Sequence, residues 1–158
     1  GLALPAPRAE REGEADGTPG GRLRAALRNL DQYLQRAEVF QNPGGGGGDY
    51  ESQIQFDSKG VDFGPWLRRF IAQIRHNWII PQAAYLGFKG HVAITFYIDR
   101  EGRIAELTVR RPSGVESFDR AAFNALAWSN PTEPLPAAYP DDRALFTVTF
   151  YYNETPPR

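Results

Sequence analysis

The side chains able to do chemistry are few, and none stands at a working spacing. A catalytic centre needs convergent polar groups. The two histidines, His76 and His91, fall on an Arg-rich helical stretch and at the start of a strand, with no ligand spacing that would hold a metal. Asp99-Arg100-Glu101-Gly102 is too short for a calcium loop. The glycine run 44–48 lacks a following Lys-Ser/Thr and a preceding strand, so it is no phosphate loop. Ser113-Gly114 lacks the flanks of a nucleophile elbow. Asp141-Asp142 reads as a solvated pair near a loop end. With no cysteine in the chain, disulfides, thiolate metal sites and a Cys nucleophile are excluded. The residues point to a protein that is not an enzyme and takes no cofactor or metal.

Composition bounds the rest. The chain has 158 residues, is 41% hydrophobic and 13% aromatic, and has a net charge of −1. That suffices for one packed domain with extensions and argues against nucleic-acid binding through bulk positive charge. The charge is unevenly spread. Between Phe63 and Ile80 stand Arg68, Arg69, Arg75 and His76 with no acid, whereas from Pro112 onward three Arg face six acids. The Arg set is a candidate electrostatic patch, or simply the solvated face of an amphipathic helix. Met is absent and residue 1 is Gly, so the expectation is a piece of a longer protein, with any membrane anchor upstream. No apolar run approaches the roughly 18 residues of a membrane helix.

The elements that must position any site centre on 88–111. Val92, Ile94, Phe96 and Ile98 alternate with His91, Ala93, Thr95 and Tyr97, the period of a strand with one buried face. Asp99 and Gly102 suit a tight hairpin loop. The run 103–111 continues as a second strand. Its apolar phase slips between Ile104 and Leu107, as a bulge would cause. A helix is expected over 65–78, with Pro65 at its first turn and Leu67, Phe70, Ile71, Ile74 and Trp78 on one stripe. A second helix is expected over 118–128, capped by Ser117, with Asp119 in its first turn. The stretch 129–142 carries four prolines and must cross irregularly. A third strand follows at 144–152, where Phe146, Val148, Phe150 and Tyr152 alternate with Leu145, Thr147, Thr149 and Tyr151.

Upstream, 1–21 reads as a disordered tail. Over 22–40, Leu23, Leu27, Leu30, Leu34 and Ala37 form the seam of an amphipathic helix that packs on its own domain or self-associates. The span 41–60 reads as a Gly-rich linker with a short edge strand around Ile54 and Phe56. The domain proper is expected at 61–153, with a tail at 154–158. The fold class is α+β: a two-layer sandwich, three antiparallel strands with two helices on one face, in the order α-β-β-α-β. The last strand carries no charge from Ala144 to Tyr152, so its edge is expected to be free and unblunted.

Set in order, these pieces resemble a family. Asn77, Trp78 and Pro81, then Gly90, Asp99 with Gly102, Ser113 with Gly114, Phe118 with Asp119 and Ala122, Pro131 with Pro134 and Pro136, and the run from Phe146 to Phe150 are similar to the C-terminal domain of TonB-type energy transducers, TolA being a more distant relative in fold. The resemblance covers roughly 65–152. It implies the periplasmic end of an inner-membrane-anchored protein, with an ExbB/ExbD-like motor as its partner upstream. It also implies contact with outer-membrane TonB-dependent transporters during substrate import, siderophore transport included. In that reading a transporter segment pairs with the terminal strand, and Thr147, Val148, Thr149, Phe150 and Tyr151 form the recognition strand. The alternatives that leave the edge unavailable are cover by 50–57 or by a second copy in a homodimer. Rival readings are a non-energised TolA-like or sensor module, and a nucleic-acid or polysaccharide binder using Tyr97, Tyr151 and Tyr152 with Arg110 and Arg111.

Overall fold

The computed structural model describes residues 38–43, as a strand, and residues 50–157. The expected tail 1–21, most of the amphipathic helix over 22–40 and the glycine run 44–48 lie outside the described residues. Where the expected helix overlaps them, at Glu38 to Phe40, the chain is extended instead. The strand β1 (Glu38–Pro43) is followed by β2 (Tyr50–Phe56), the helices α1 (Gly64–Asn77) and α2 (Gln82–Tyr85), the hairpin β3 (Gly90–Asp99) and β4 (Ile104–Arg111), the helix α3 (Glu116–Ala127), and β5 (Arg143–Tyr152).

The fold is α+β, an antiparallel sheet with the main helices on one face. Its strand count corrects the expectation of three. Among the described residues the sheet has five strands in the order β1-β2-β5-β3-β4. The span expected to be mostly linker, 41–60, supplies β2 and the end of β1, so the sheet begins well before residue 61.

The core sits between the sheet and the helices because period-2 and period-3.6 apolar patterns meet there. On β3, Val92, Ile94, Phe96 and Ile98 are all buried, as are Phe146, Val148, Phe150 and Tyr152 on β5. Ile54 and Phe56 extend the same layer across β2. From α1, Trp66 stacks on Phe146 and Phe70 meets Phe96 edge-on. From α3, Phe118 lies flat on Tyr152 with ring centroids 4.0 Å apart. Ala122 and Ala125, both fully buried, let α3 lie close to the sheet.

Local chemistry explains the turns. Pro65 opens α1 where its missing N–H costs nothing. The expected bulge is present: pairing of β3 with β4 shifts between Thr95 and Tyr97 and again between Ala93 and Ile94, and Glu106 takes a φ of 60° in the first shift. The expected Ser117 cap is not. The residue before α3 is Val115, with no side-chain cap. The Asp119 carboxylate instead reaches back to accept from the Ser113 amide (2.9 Å) and hydroxyl (2.7 Å), which ties the Pro-Ser-Gly turn to the helix.

In the β3–β4 loop, Asp99 Oδ1 accepts from the backbone N–H groups of Arg103 (2.9 Å) and Glu101 (3.0 Å), while Oδ2 pairs with Arg103. The Arg103 amide does most to hold the Asp99 carboxyl below its ordinary value of 3.8. A depressed carboxyl stabilises the fold above its unfolded pKa and loses that contribution as pH falls through the folded value. Acid unfolding of Asp99→Ala should therefore show a shallower loss of stability below the ordinary carboxylate range than the parent chain, read by urea midpoints across pH.

Candidate functional site

The site proposed from sequence rests on β5, and the structure places that strand inside the sheet. Along one side β5 pairs with β3 from Gly90↔Tyr152 to Asp99↔Arg143. Along the other it pairs with β2 at Tyr50↔Tyr152, Glu51↔Tyr151, Ser52↔Phe150, Gln53↔Thr149, Ile54↔Val148 and Gln55↔Thr147. Thr147, Val148, Thr149, Phe150 and Tyr151 thus lie together on one continuous strand, but its edge is not free. The molecule's own β2 occupies the same five residues. The sequence carried the signal, Ile54 and Phe56 in alternation, yet seven residues beside a glycine run read as a minor edge piece.

The occupant is seated by its side chains as well as its backbone. Phe56 stacks on Phe146 at 4.5 Å and meets Phe63 at 4.8 Å. Ile54 is fully buried in the same layer. On the opposite sheet face Tyr151 donates to Gln53 Oε1 (3.3 Å), and Gln53 Nε2 donates to the Pro157 carbonyl (3.2 Å). The sheet's actual edges are β1 and β4. The β4 edge is bent by its two register shifts and carries Glu106, Arg110 and Arg111, the features that blunt an edge.

The carboxyl end of β5 is clamped. The Tyr152 hydroxyl donates to the Phe118 carbonyl (3.0 Å) and accepts from Trp78 Nε1 (2.8 Å). Burial pushes this phenol well up from its ordinary range, against the Trp78 hydrogen bond. Asn153, at a φ of 56°, donates through Nδ2 to the Ala84 and Phe88 carbonyls, both at 2.8 Å. His91 Nδ1 lies 2.7 Å from Glu154 Oε1, and the His91 ring stacks on Tyr151. Burial, then the Glu154 carboxylate, raises the Tyr151 phenol. Removing the Tyr152 hydroxyl strands a buried indole donor. Tyr152→Phe should cost about 1–3 kcal/mol, read as a lower urea midpoint with an unchanged slope.

The remaining candidate residues are dispersed. Arg68, Arg69 and Arg75 are exposed on α1, and Arg69 pairs with Glu133 at 3.3 Å. Tyr151 and Tyr152, expected to be exposed in the nucleic-acid or polysaccharide reading, are buried at 7% and 0%. Arg143 covers the Tyr97 ring at 3.7 Å, and Arg110 donates to Thr95 (2.9 Å). That surface offers no row of open rings for stacking. Among the described residues no group of three or more His, Cys, Asp or Glu gathers as a metal site, and no helix is long and apolar enough to cross a membrane.

The family model described as the Gram-negative bacterial TonB protein C-terminal matches residues 81–153. The chain is 34% identical over 76 residues to Protein TonB of Pasteurella multocida (strain Pm70), a span covering 48% of this chain and 29% of that protein. The chain thus spans under a third of the curated relative's length. The NMR solution structure of the Helicobacter pylori TonB C-terminal domain is similar at a TM-score of 0.47 and 19% identity, over 62% of this chain and 88% of that one. Over residues 81–153 the chain is similar to the C-terminal domain of TonB proteins.

Proposed function

We propose that this chain is the periplasmic, transporter-contacting part of a TonB-like transducer anchored in the inner membrane, and that it grips an outer-membrane active transporter by strand exchange on β5. The observation that carries the site is the register of β2, which lies antiparallel on β5 from Gln55↔Thr147 to Tyr50↔Tyr152. The rail therefore accepts an extended segment, and an incoming transporter strand would replace β2 one backbone bond for another.

Exchange has a defined energetic condition. Withdrawing β2 uncovers Ile54 and Phe56, about 1.5–3 kcal/mol each, out of a total domain stability of about 5–15 kcal/mol. Only a segment that returns two apolar side chains at alternate positions, facing Val148 and Phe146, restores that burial. The recognition strand remains Thr147, Val148, Thr149, Phe150 and Tyr151, now with a resident competitor. Work drawn from an ExbB/ExbD-like motor upstream would load the exchanged strand in shear, shared among several backbone bonds. Arg68, Arg69 and Arg75 would steer the domain toward acidic transporter surfaces.

A second reading has its own observation: β1 ends the sheet on the β2 side, so a segment could add there with β2 in place. NMR titration of the isotope-labelled chain with synthetic peptides from the periplasmic N-termini of outer-membrane transporters separates the two. Exchange predicts loss of the native β2 signals together with shifts over 147–151. Addition predicts shifts on β1 alone. No response on either strand to any peptide would overturn strand capture.

A further inference from the structure

The outer face of β5 is covered at one end only. Arg143, Leu145, Thr147 and Thr149 point away from the core and are each part-exposed, whereas Tyr151, next on the same face, is buried. The cover comes from the segment after β5. Asn153 turns the chain at a φ of 56°, and its Nδ2 donates to the Ala84 and Phe88 carbonyls. Glu154 then meets His91 on β3 at 2.7 Å, and the Pro157 carbonyl accepts from Gln53 Nε2 on β2 at 3.2 Å. β5 lies between β3 and β2, so residues 154–157 cross over it. Three residues of extended chain reach about 10 Å, the width of two strand spacings. Pro156, inside the crossing, is buried, and the two prolines fix φ in the range of an extended segment.

The crossing sets two polar atoms around one side chain of β2. The Tyr151 hydroxyl donates to Gln53 Oε1 (3.3 Å), and Gln53 Nε2 donates to the Pro157 carbonyl. Both atoms have supports apart from β2. The Tyr151 ring stacks on His91, and the crossing is anchored at Asn153 and Glu154. Burial raises the Tyr151 phenol, so it stays a donor through neutral pH. When β2 leaves, one donor and one acceptor remain beside the position opposite Thr149. A carboxamide answers both with one side chain. A leucine there leaves both atoms unpaired, a lysine gives the hydroxyl no acceptor, and a glutamate gives the carbonyl no donor. In a covered site such mismatches are costly. We propose that the Tyr151 hydroxyl and the Pro157 carbonyl form a reading pair that selects glutamine opposite Thr149 on whichever strand lies along β5. On the resident strand Gln53 is followed by Ile54 and Phe56, both fully buried, so the fitting transporter segment runs glutamine, apolar, any residue, apolar. The selection rests on the strand-exchange reading and names the chemistry of the segment exchanged.

The test uses end-capped synthetic peptides of the β2 sequence, Tyr50–Phe56, as the parent peptide and as its Gln53→Leu, Gln53→Lys and Gln53→Glu versions. Each is titrated into the isotope-labelled full chain, with shifts over 147–151 as the readout. The parent peptide should bind roughly threefold to tenfold tighter than each of the other three, the leucine version included, although leucine is the more apolar side chain. Tyr151→Phe in the full chain keeps the ring and removes the donor. It should shrink the ratio of parent to leucine peptide, whatever it does to the two affinities together, because the resident β2 loses the same bond. Should that variant fail to fold, the four peptides on the parent chain still decide the matter. Equal affinities for the parent and leucine peptides overturn the selection, and so does a ratio that a folded Tyr151→Phe chain leaves unchanged. Either result leaves strand exchange standing, since the peptides still displace β2. No shift over 147–151 with any of the four overturns the selection and counts against the exchange as well.

Discussion

Phe56→Ala is expected to lower the unfolding free energy by about 3–5 kcal/mol and, at the same time, to tighten capture of an added strand. The first effect follows from position. Phe56 is fully buried between Phe146 and Phe63, and truncation leaves a cavity that a rigid sheet cannot collapse into. The second follows from which state loses the contact. The Phe56 ring stabilises only the arrangement with β2 seated on β5. Weakening it by about 3 kcal/mol raises the population able to accept a partner by roughly two orders of magnitude. Urea unfolding and peptide affinity measured on the same variant should move in opposite directions. A core substitution away from β2, such as Leu126→Ala on α3, should lower stability without that gain.

Gly102→Ala should be about as damaging, for a backbone reason. Gly102 has a φ of 98°, a region that L side chains rarely adopt. An added Cβ would also collide with the Thr132 backbone and lie 2.9 Å from the Glu133 carbonyl oxygen. Neither neighbour is a side chain that can swing aside. The loop and the crossing are bonded to each other, through Thr132 N–H to the Gly102 carbonyl (2.8 Å) and Leu135 N–H to the Arg100 carbonyl (3.1 Å). The crossing is also the acceptor for Trp66 Nε1, at the Glu133 carbonyl (2.9 Å). Overpacking and the left-handed cost together put the loss at about 2–5 kcal/mol, measured by urea unfolding. Peptide affinity should not rise, because β2 is untouched.

Much of this arrangement was legible in the sequence where a period repeats. The ten-residue alternation of β3, the run in β5 and the stripe on α1 each bury one face, and the structure buries those faces. The bulge was legible as a phase slip at Leu107. What escaped was set by tertiary contact. Ser117 has the chemistry of a cap, but Asp119 reaching back to Ser113 made a side-chain cap unnecessary. Glu38 and Val39 continued a helical seam in sequence, yet pair with β2 in the sheet. The candidate strand was placed correctly as a β element, while its edge was misread. Whether an edge is free depends on a partner far away in sequence, as Gln53 is from Thr149, and no local pattern reports that.

The chain has no cysteine, so one pair of thiols can test whether β2 must leave its place. Gln53 and Thr149 face each other across the β2–β5 register on the side of the sheet away from the core, and Gln53→Cys with Thr149→Cys can be joined or opened at will. Reduced, the variant should bind transporter peptides as the parent chain does. Oxidised, it should lose that binding and regain it when reductant is added. Undiminished binding by the oxidised form, with β2 fixed on β5, would contradict strand exchange and move the docking edge out to β1.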